Sequence, residues 1–166
     1  MRRPHVLILR DPRESAAKCS LTPLRGMPGI EFRCFDPQAR VPAEDRVLLH
    51  PDGEEISAAD RGRDLLVLDS NWRRLPKLVA SLEGQPLLRR LPPLRTAYPR
   101  RSRIHSDPPD GLASVEALWA ALALLGDSRP ELLAGYHFRE AFLDLNPGLR
   151  ALLESPAGGT WPWEPS

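Results

Sequence analysis

The chain has 166 residues, a formal net charge of +1, 42 % hydrophobic residues and 27 % charged residues, values that are ordinary for a globular protein of one domain. No apolar run approaches the roughly 18 residues that a membrane helix needs, so we expect no membrane partner. The two cysteines form no C-x-x-C motif and the four histidines lack the spacing of metal ligands, so we expect no disulfide framework, no bound metal and a cytoplasmic location.

Strands are predicted mainly in the first half of the chain. Residues 5–10 follow two arginines, are too short for a signal peptide and predict a first strand. Residues 11–28 are polar and predict a loop, while residues 31–35 alternate in polarity and predict a second strand. Residues 45–56 predict a strand, a turn and a short return, after which Ser57 is expected to cap a short helix.

The strongest strand signal lies at residues 64–68, which the letters DSNW follow at residues 69–72. Such a strand delivers a carboxylate, Asp69, and a large ring, Trp72, to the edge of a sheet. Ligands bind outside the carboxyl ends of strands in open α/β sheets, so this segment is a candidate ligand site. The alternative is a structural role, in which a polar residue of DSNW caps the next helix and Trp72 fills the core.

Helices are predicted to dominate the second half. Apolar residues recur at helical spacing in residues 71–83. Residues 86–111 are rich in proline and arginine and predict a functional or mobile loop. Ser114 is expected to cap a helix over residues 114–125, and residues 130–153 predict two or three short helices. Strands followed by helices in this order predict an α/β fold with a parallel sheet.

The domain organisation is predicted to be simple, because no internal repeat is visible. Residues 1–154 are expected to form one domain. Residues 155–166, with proline, glycine and two tryptophans, are expected to be a tail that is loosely ordered or docked through its rings. No G-x-G-x-x-G or G-x-x-x-x-G-K-[ST] motif occurs, so neither a dinucleotide fold nor a P-loop is supported.

Positive charge is concentrated in one region of the sequence. Residues 73–106 carry eight arginines and one lysine against a single acid, so their net charge is about +8 while the rest of the chain carries about −7. An arginine-rich segment in a near-neutral protein indicates an anionic partner, and nucleic acid is the obvious candidate. The alternative is a solvated face whose arginines are dispersed or pair with acids elsewhere in the chain.

Short motifs that run in order from about residue 6 to residue 153 resemble one protein family. The first half contains DP at 11–12, KCS at 18–20, LLHPDG at 48–53 and ISAADR at 56–61, which are similar to D-P, K-C-[ST], V-L-S-P-x-G and S-P-A-D-R. The rest contains LDSNW at 68–72, RLPPL at 90–94, LASVEA at 112–117 and FLDLN at 142–146, which are similar to V-D-C-S-W, R-L-L-P-x-L, L-S-C-V-E-A and F-L-E-L-N. These are motifs of the small-subunit ribosomal-RNA aminocarboxypropyltransferases of archaea and eukaryotes.

A related family, the DTW-domain transferases that act on transfer RNA, shares part of this pattern. It has the same Asp-x-x-Trp spacing and a helix that starts L-S-T-x-E-A, and its Y-x-x-R loop is similar to YPRR at residues 98–101. The cysteine-rich N-terminus common in that family is missing here. The chain therefore resembles the ribosomal family more, with a loop that leans toward the DTW type.

The resemblance implies a SPOUT-like α/β fold, in which a parallel sheet is flanked by helices and a C-terminal trefoil knot binds S-adenosylmethionine. It also implies transfer of the 3-amino-3-carboxypropyl group, and not of the methyl, to a uridine-type base in RNA, with release of methylthioadenosine. Ribosomal RNA is the first candidate substrate. Three alternatives stay open: a DTW-like transfer-RNA uridine aminocarboxypropyltransferase, a SPOUT-type RNA methyltransferase, and a non-catalytic RNA-binding assembly factor.

The resemblance also assigns roles to individual residues. Asp69 would hold the ammonium of the cofactor or help to remove the proton of the base, and Trp72 would cover the methyl and sulfonium side, where a ring face suits a cation. The other cofactor contacts that it implies are Ser20, Leu68, Leu91, Leu94, Leu112 and Ser114. The expected RNA contacts are Arg89, Arg90, Arg95, Tyr98, Arg100, Arg101 and Arg103.

The chain departs from the family between the last strand signal and the long helix. The letters AYPRRSR at residues 97–103 replace A-N-P-x-N-Y-G, and Ala113 stands where the family has serine. These departures are the basis of the non-catalytic alternative. Glu116, in the first turn of the predicted helix, is expected to interact favourably with the helix dipole rather than to act in catalysis.

Overall fold

The structure is a computed structural model that describes residues 3–13, 20–71, 73–98 and 112–154. Its strands are β1 (Val6–Arg10), β2 (Ile30–Cys34), β3 (Val41–Pro42), β4 (Val47–Glu55), β5 (Leu65–Asp69), β6 (Leu82–Glu83) and β7 (Leu87–Arg90). Its α-helices are α1 (Leu75–Ala80), α2 (Ser114–Leu124), α3 (Arg139–Leu145) and α4 (Pro147–Glu154). Single turns of 3-10 helix occur at Thr22–Leu24, Ala58–Asp60 and Pro130–Leu132.

Five of the strands form one sheet in the order β2-β1-β5-β4-β7, in which all neighbours are parallel. The strands β3 and β6 form a separate parallel pair. The predicted α/β fold, with a parallel sheet flanked by helices, is confirmed. The SPOUT-like class and the trefoil knot stay predictions, because the path between Tyr98 and Leu112 lies outside the described residues.

Side chains of the central strands alternate between two cores. Val6 and Ile8 of β1 pack with the helices α2, α3 and α4 on one side of the sheet, here named the α2 face. Leu7 and Leu9 of the same strand pack with Leu78 of α1 on the other side, here named the α1 face. This alternation follows from the two-residue period of a strand, and it buries a parallel sheet on both sides.

The helix α2 forms the centre of the larger core. Nine of its 11 residues are buried, and the Trp119 ring is fully enclosed. A helix that is apolar all round is typical of such a central position. Gly126 adopts a φ of +95° just after the helix and ends it, as the sequence predicts. The short helices that the sequence predicts after it are also found, and Pro147 opens the last of them.

The strand β4 differs from the predicted strand, turn and return. It is a single strand of nine residues whose Leu49 and Glu54 both align with Arg89 of β7, so the residues between them form a bulge. The partner β7 lies inside the region that the sequence predicts as a loop. Gly53 closes the bulge against β7, and a Cβ there would collide with the backbone of Leu88 and Arg89.

The predicted helix over residues 71–83 is shorter in the structure. The helix α1 begins only at Leu75, next to Pro76, because the chain first makes a turn in which Arg74 N–H donates to the Asn71 side chain at 3.0 Å. It ends at Ala80, since the residues that follow pair with β3 as strand β6.

The predicted tail over residues 155–166 lies outside the described residues, and the single domain over residues 1–154 stays a prediction. Within the part of the chain that the structure describes, no helix is both long and apolar enough to cross a membrane.

The close approach at Gly53 predicts a selective loss of stability in Gly53→Ala. We expect the free energy of unfolding to fall by about 1–3 kcal/mol, since the added methyl must push β4 away from β7. Urea unfolding measures this. Gly135→Ala is the matched control: a Cβ there meets nothing within 4 Å, and we expect a change within about 1 kcal/mol. Equal stability of the two variants would contradict the bulge.

Candidate functional site

The carboxyl ends of β1 and β5 are joined by a buried ion pair. Arg10 and Asp69 are partners in the register of the two strands, and Arg10 Nε donates to Asp69 Oδ2 at 2.9 Å. The two side chains are only 10 % and 8 % exposed. A buried carboxylate needs such a partner to offset the loss of hydration. Arg10 of β1 therefore holds the Asp69 side chain in place. The Asn71 side chain instead accepts a hydrogen bond from Arg74 N–H in the turn before α1.

A second buried ion pair lies on the other face of the same edge. Asp11 follows β1 directly, is fully buried and pairs with Arg74 beside α1. Its carboxylate also accepts from Arg13 N–H at 3.0 Å, and its own N–H donates to the Asp69 carbonyl at 3.0 Å. Consecutive residues point to opposite faces, so Arg10 and Asp69 belong to the α2 face and Asp11 to the α1 face.

The guanidinium of Arg10 has one donor without a partner among the described residues. Its central carbon lies 4.9 Å from the centre of the Phe32 ring. Its Nη2 atom is buried and has no hydrogen-bond partner among the described residues. Buried donors are nearly always bonded, and a charged one without a partner is costly. Arg10 is thus suited to bind an anionic group beside Asp69.

Three of the predicted cofactor contacts line one cavity of about 980 Å³. They are Leu91, Leu94 and Leu112, and all three pack against the core of the α2 face. The bulge of β4 contributes His50 and Pro51 to the lining. The lining is mixed, since Arg89, Arg90 and Arg95 lie beside the leucines and prolines, and its size is typical of a small-molecule site. Leu68, a further predicted contact, packs instead toward the α1 face.

The start of α2 brings the two remaining predicted cofactor contacts together. Val115 N–H donates to Ser20 Oγ at 3.0 Å, which links the loop after β1 to the first turn of the helix. Ser114 does not cap the helix as predicted: it is the first helical residue, and Ala113 occupies the cap position. Ser20 Oγ supplies the acceptor for the Val115 N–H that a capping serine would have supplied. Glu116 accepts from the N–H of the cap residue Ala113 itself.

Glu116 is a bridge between α2 and the segment after β7, which goes beyond the predicted dipole role. It is fully buried and accepts from Ala113 N–H at 2.8 Å, Thr96 Oγ1 at 2.6 Å and Ala97 N–H at 3.0 Å. Burial raises the pKa of Tyr136, and the nearby Glu116 charge raises it further, so this phenol stays protonated at neutral pH.

Asn146 holds the same segment from the end of α3. Its Oδ1 accepts from Arg95 N–H at 2.9 Å, and its Nδ2 donates to the Arg95 carbonyl at 2.9 Å and to the Phe142 carbonyl at 2.8 Å. Together with Glu116 it fixes the backbone of residues 95–97. The motifs VEA and FLDLN thus contain the two buried polar residues that shape one wall of the cavity.

Two of the predicted RNA contacts are engaged within the protein. Arg89 Nε donates to both carboxylate oxygens of Asp60, at 3.1 and 3.2 Å. Arg90 Nη1 donates to the Gly53 carbonyl at 3.0 Å, and Nη2 lies 3.7 Å from the Glu55 carboxylate. These two arginines therefore agree with the alternative interpretation of the arginine-rich region, in which its arginines pair with acids elsewhere in the chain.

The other predicted RNA contacts are more exposed or lie outside the described residues. Arg95 is exposed at the rim of the cavity. Tyr98 is 44 % exposed and its ring packs edge-on against Phe138, with centres 5.8 Å apart. The predicted site residues outside the described ranges are Trp72, Arg100, Arg101 and Arg103. No group of three or more potential metal ligands occurs among the described residues.

Sequence reasoning missed Arg10 and the clamping roles of Glu116 and Asn146. A signal for Arg10 did exist, because it ends an apolar strand and lies opposite Asp69 once β1 and β5 are paired. Glu116 and Asn146 carried no such signal, since their partners are backbone groups about 20 and 51 residues away.

Comparisons with known proteins give one informative similarity. No protein-family model and no curated protein matches this sequence. Among solved structures, the chain is similar to the SAM-dependent rRNA:acp-transferase Tsr3 from Vulcanisaeta distributa, with a TM-score of 0.68 and 23 % identity over 94 % of this chain and 86 % of that chain. The chain has the fold of that transferase. This fold agrees with the α/β fold with a parallel sheet that the motif resemblance implies.

The bridge at Glu116 predicts a large effect of Glu116→Ala on stability. The substitution removes the acceptor of two backbone N–H groups and one hydroxyl, so we expect the free energy of unfolding to fall by about 2–4 kcal/mol. Chemical denaturation measures the loss. Glu140→Ala is the matched control on the surface of α3, where the paired arginines are solvated and a change below about 1 kcal/mol is expected. Similar losses in both variants would contradict the bridge.

Proposed function

We propose that this protein transfers the 3-amino-3-carboxypropyl group of S-adenosylmethionine to a uridine-type base in RNA, with ribosomal RNA as the substrate class. The observation that carries the proposal is the fold shared with Tsr3. In this chain three of the predicted cofactor contacts line one cavity, and Arg10 and Asp69 meet at the carboxyl edge of the sheet. The SPOUT-like class, the trefoil knot and the single domain over residues 1–154 belong to the same proposal.

The residues at this edge fit the parts of S-adenosylmethionine. The leucines of the cavity suit the adenine ring, and the Ser20 hydroxyl at the start of α2 suits the ribose. The amino-acid end of the cofactor carries an ammonium and a carboxylate. Asp69 and the unused Nη2 of Arg10 offer one opposite charge to each. The fit therefore rests on a buried donor that the protein leaves without a described partner.

Reaction choice in this proposal is a matter of positioning. The bound cofactor supplies an electrophilic sulfonium, and no metal is needed for its carbon–sulfur bond to break. Arg10 and Asp69 would hold the amino-acid end, which would present the methylene next to sulfur, rather than the methyl, to the ring nitrogen of the base. Transfer would form the nitrogen–carbon bond, return the electron pair of the broken carbon–sulfur bond to sulfur as methylthioadenosine leaves, and release the proton of the nitrogen to solvent.

The ion pair favours an anchoring role for Asp69 over a role as proton acceptor. Arg10 already donates to Asp69 Oδ2, so the carboxylate is neutralised within the protein before any ligand binds. Trp72 is proposed to cover the methyl side of the sulfonium, where the negative face of a ring attracts the cation. Arg95 and Tyr98, exposed at the rim, are the described residues that we propose for contact with RNA.

The reaction class is tested by incubating the protein with ribosomal RNA and cofactor labelled separately in the carboxyl and in the methyl. We expect only the carboxyl label to enter RNA, together with release of methylthioadenosine. Entry of only the methyl label, with release of S-adenosylhomocysteine, would identify a methyltransferase. Absence of cofactor binding by calorimetry would instead favour a non-catalytic RNA-binding protein, and transfer to transfer RNA alone would favour the DTW-like alternative.

The proposed role of Arg10 is tested with an analogue of S-adenosylmethionine that lacks the carboxylate. We expect the wild type to bind the complete cofactor about 10–100-fold more tightly, the range of one or two charge-assisted hydrogen bonds. Arg10→Lys keeps a cation beside Asp69 but removes the second donor, so calorimetry should show that most of this preference is lost. Retention of the full preference in Arg10→Lys would rule out Arg10 as the carboxylate contact.

A further inference from the structure

A second cavity, of about 860 Å³, lies on the α1 face, beyond the carboxyl ends of β1 and β2. Arg13, Arg40 and Lys77 line it, and the Phe35 ring contributes to its apolar part. These four residues define what is here named the basic pocket. We infer that the basic pocket binds a nucleotide of the RNA strand next to the modified one. This inference rests on the proposed function and names a second contact for its substrate.

The basic pocket has an excess of positive charge. Arg13, Arg40 and Lys77 make no ion pair with any carboxylate of the described residues, and no described acid lines the cavity. A fourth cation in its wall, Arg74, is already neutralised by Asp11. Three cations that face one concave surface, with no counter-ion in the part of the chain that the structure describes, favour an anionic ligand.

The donors of the basic pocket are partly fixed in place. Arg40 Nη1 donates to the Ala80 carbonyl at 2.9 Å, which holds the guanidinium across the cavity from the loop after β2 to the end of α1. The remaining donors of that planar group stay available, and a planar fork matches the oxygens of a phosphate. Less side-chain entropy is lost on binding when the guanidinium is held beforehand.

The apolar part of the pocket favours a nucleotide over a free phosphate. The Phe35 ring is 8 % exposed, and Ala39 and Ala80 lie beside it in the lining. Sites for single-stranded nucleic acid combine cations that follow the backbone with aromatic side chains against which bases pack. Most of the Phe35 ring packs in the core of the α1 face, so its exposed edge and the two alanines are the apolar surface that a base can contact and that an inorganic phosphate would not use.

The position of the basic pocket suits a strand that enters the proposed active site. The strand β1 ends between β2 and β5, so Asp69 and the basic pocket share one edge of the sheet. The Asp11–Arg74 pair lies between them and contributes Arg74 to the pocket wall. An RNA strand whose target base reaches Asp69 can therefore place a neighbouring nucleotide over β1 and into the basic pocket.

The test measures binding of a short fluorescein-labelled oligouridylate by anisotropy over a series of salt concentrations. Two variants are compared with the wild type. The first is the double variant Arg40→Ala/Lys77→Ala. The second is the single variant Lys77→Glu, which keeps the hydrogen bond of Arg40 to the Ala80 carbonyl. Each lost phosphate contact on a single strand reduces the salt slope by about 0.7, so we expect the double variant to lose about 1.4 in slope and about tenfold in affinity. Cofactor binding, measured by calorimetry, should stay unchanged.

Arg3→Ala is the matched control. Arg3 has a side chain that is 68 % exposed, and it precedes β1 at the opposite edge of the sheet. Its removal lowers the net charge by one unit, whereas the double variant and Lys77→Glu each lower it by two. We expect its affinity and slope to stay near those of the wild type. Circular dichroism spectra and thermal unfolding midpoints are measured for every variant. We expect them to match the wild type, because the substituted side chains are exposed and their loss leaves the fold intact.

Three results would overturn the inference. If the double variant and Lys77→Glu bind oligouridylate like Arg3→Ala, the basic pocket does not contact RNA even though the wild type does. If the double variant loses only saturable binding of inorganic phosphate, the pocket takes a free anion. If the wild type binds cofactor but no RNA, the proposed substrate class fails together with the pocket. Loss of RNA affinity in the pocket variants alone, with cofactor binding retained, supports the inference.

Discussion

The ion pairs at the ends of β1 and β5 are the constraint that holds the carboxyl edge of the sheet, and one of them supplies Arg74 to the wall of the basic pocket. Arg10 and Asp69 neutralise each other on one face, and Asp11 and Arg74 do so on the other. A charge left alone at such depth would be strongly destabilising, so each pair fixes the position of both partners. Backbone hydrogen bonds support the same edge, since Asp11 N–H donates to the Asp69 carbonyl and Phe35 N–H donates to the Arg10 carbonyl.

The segment after β7 depends on helices rather than on a strand partner. Glu116 and Asn146 satisfy its backbone groups at residues 95–97 from α2 and α3. Buried polar networks of this kind specify a unique arrangement when every member is bonded. The leucines on either side of residues 95–97 can therefore form a defined wall, although the sequence there is irregular and rich in proline.

The sequence was sufficient for the elements whose signals are local. The parallel sheet, the central strand β5 and the buried helix α2 follow from apolar runs and their length. The bulge of β4 was not predictable, because PDG is locally a turn signal and only its pairing with β7 keeps the chain extended. The same holds for Arg89, which a charge count assigns to RNA, while its partner Asp60 lies 29 residues earlier in the sequence. Such pairings exist only in the folded chain.

Two hydrogen bonds over long sequence separations also set an order of assembly during synthesis. One joins Val115 to Ser20, and the other joins Arg95 to Asn146. The ribosome releases the strands first, but the loop that carries Ser20 gains its partner only after α2 has emerged. The wall at residues 95–97 is complete only when residue 146 has followed. Contacts over such long sequence separations form late in folding. The cavity lined by Leu91, Leu94 and Leu112 is therefore complete only when almost all of the described chain is made.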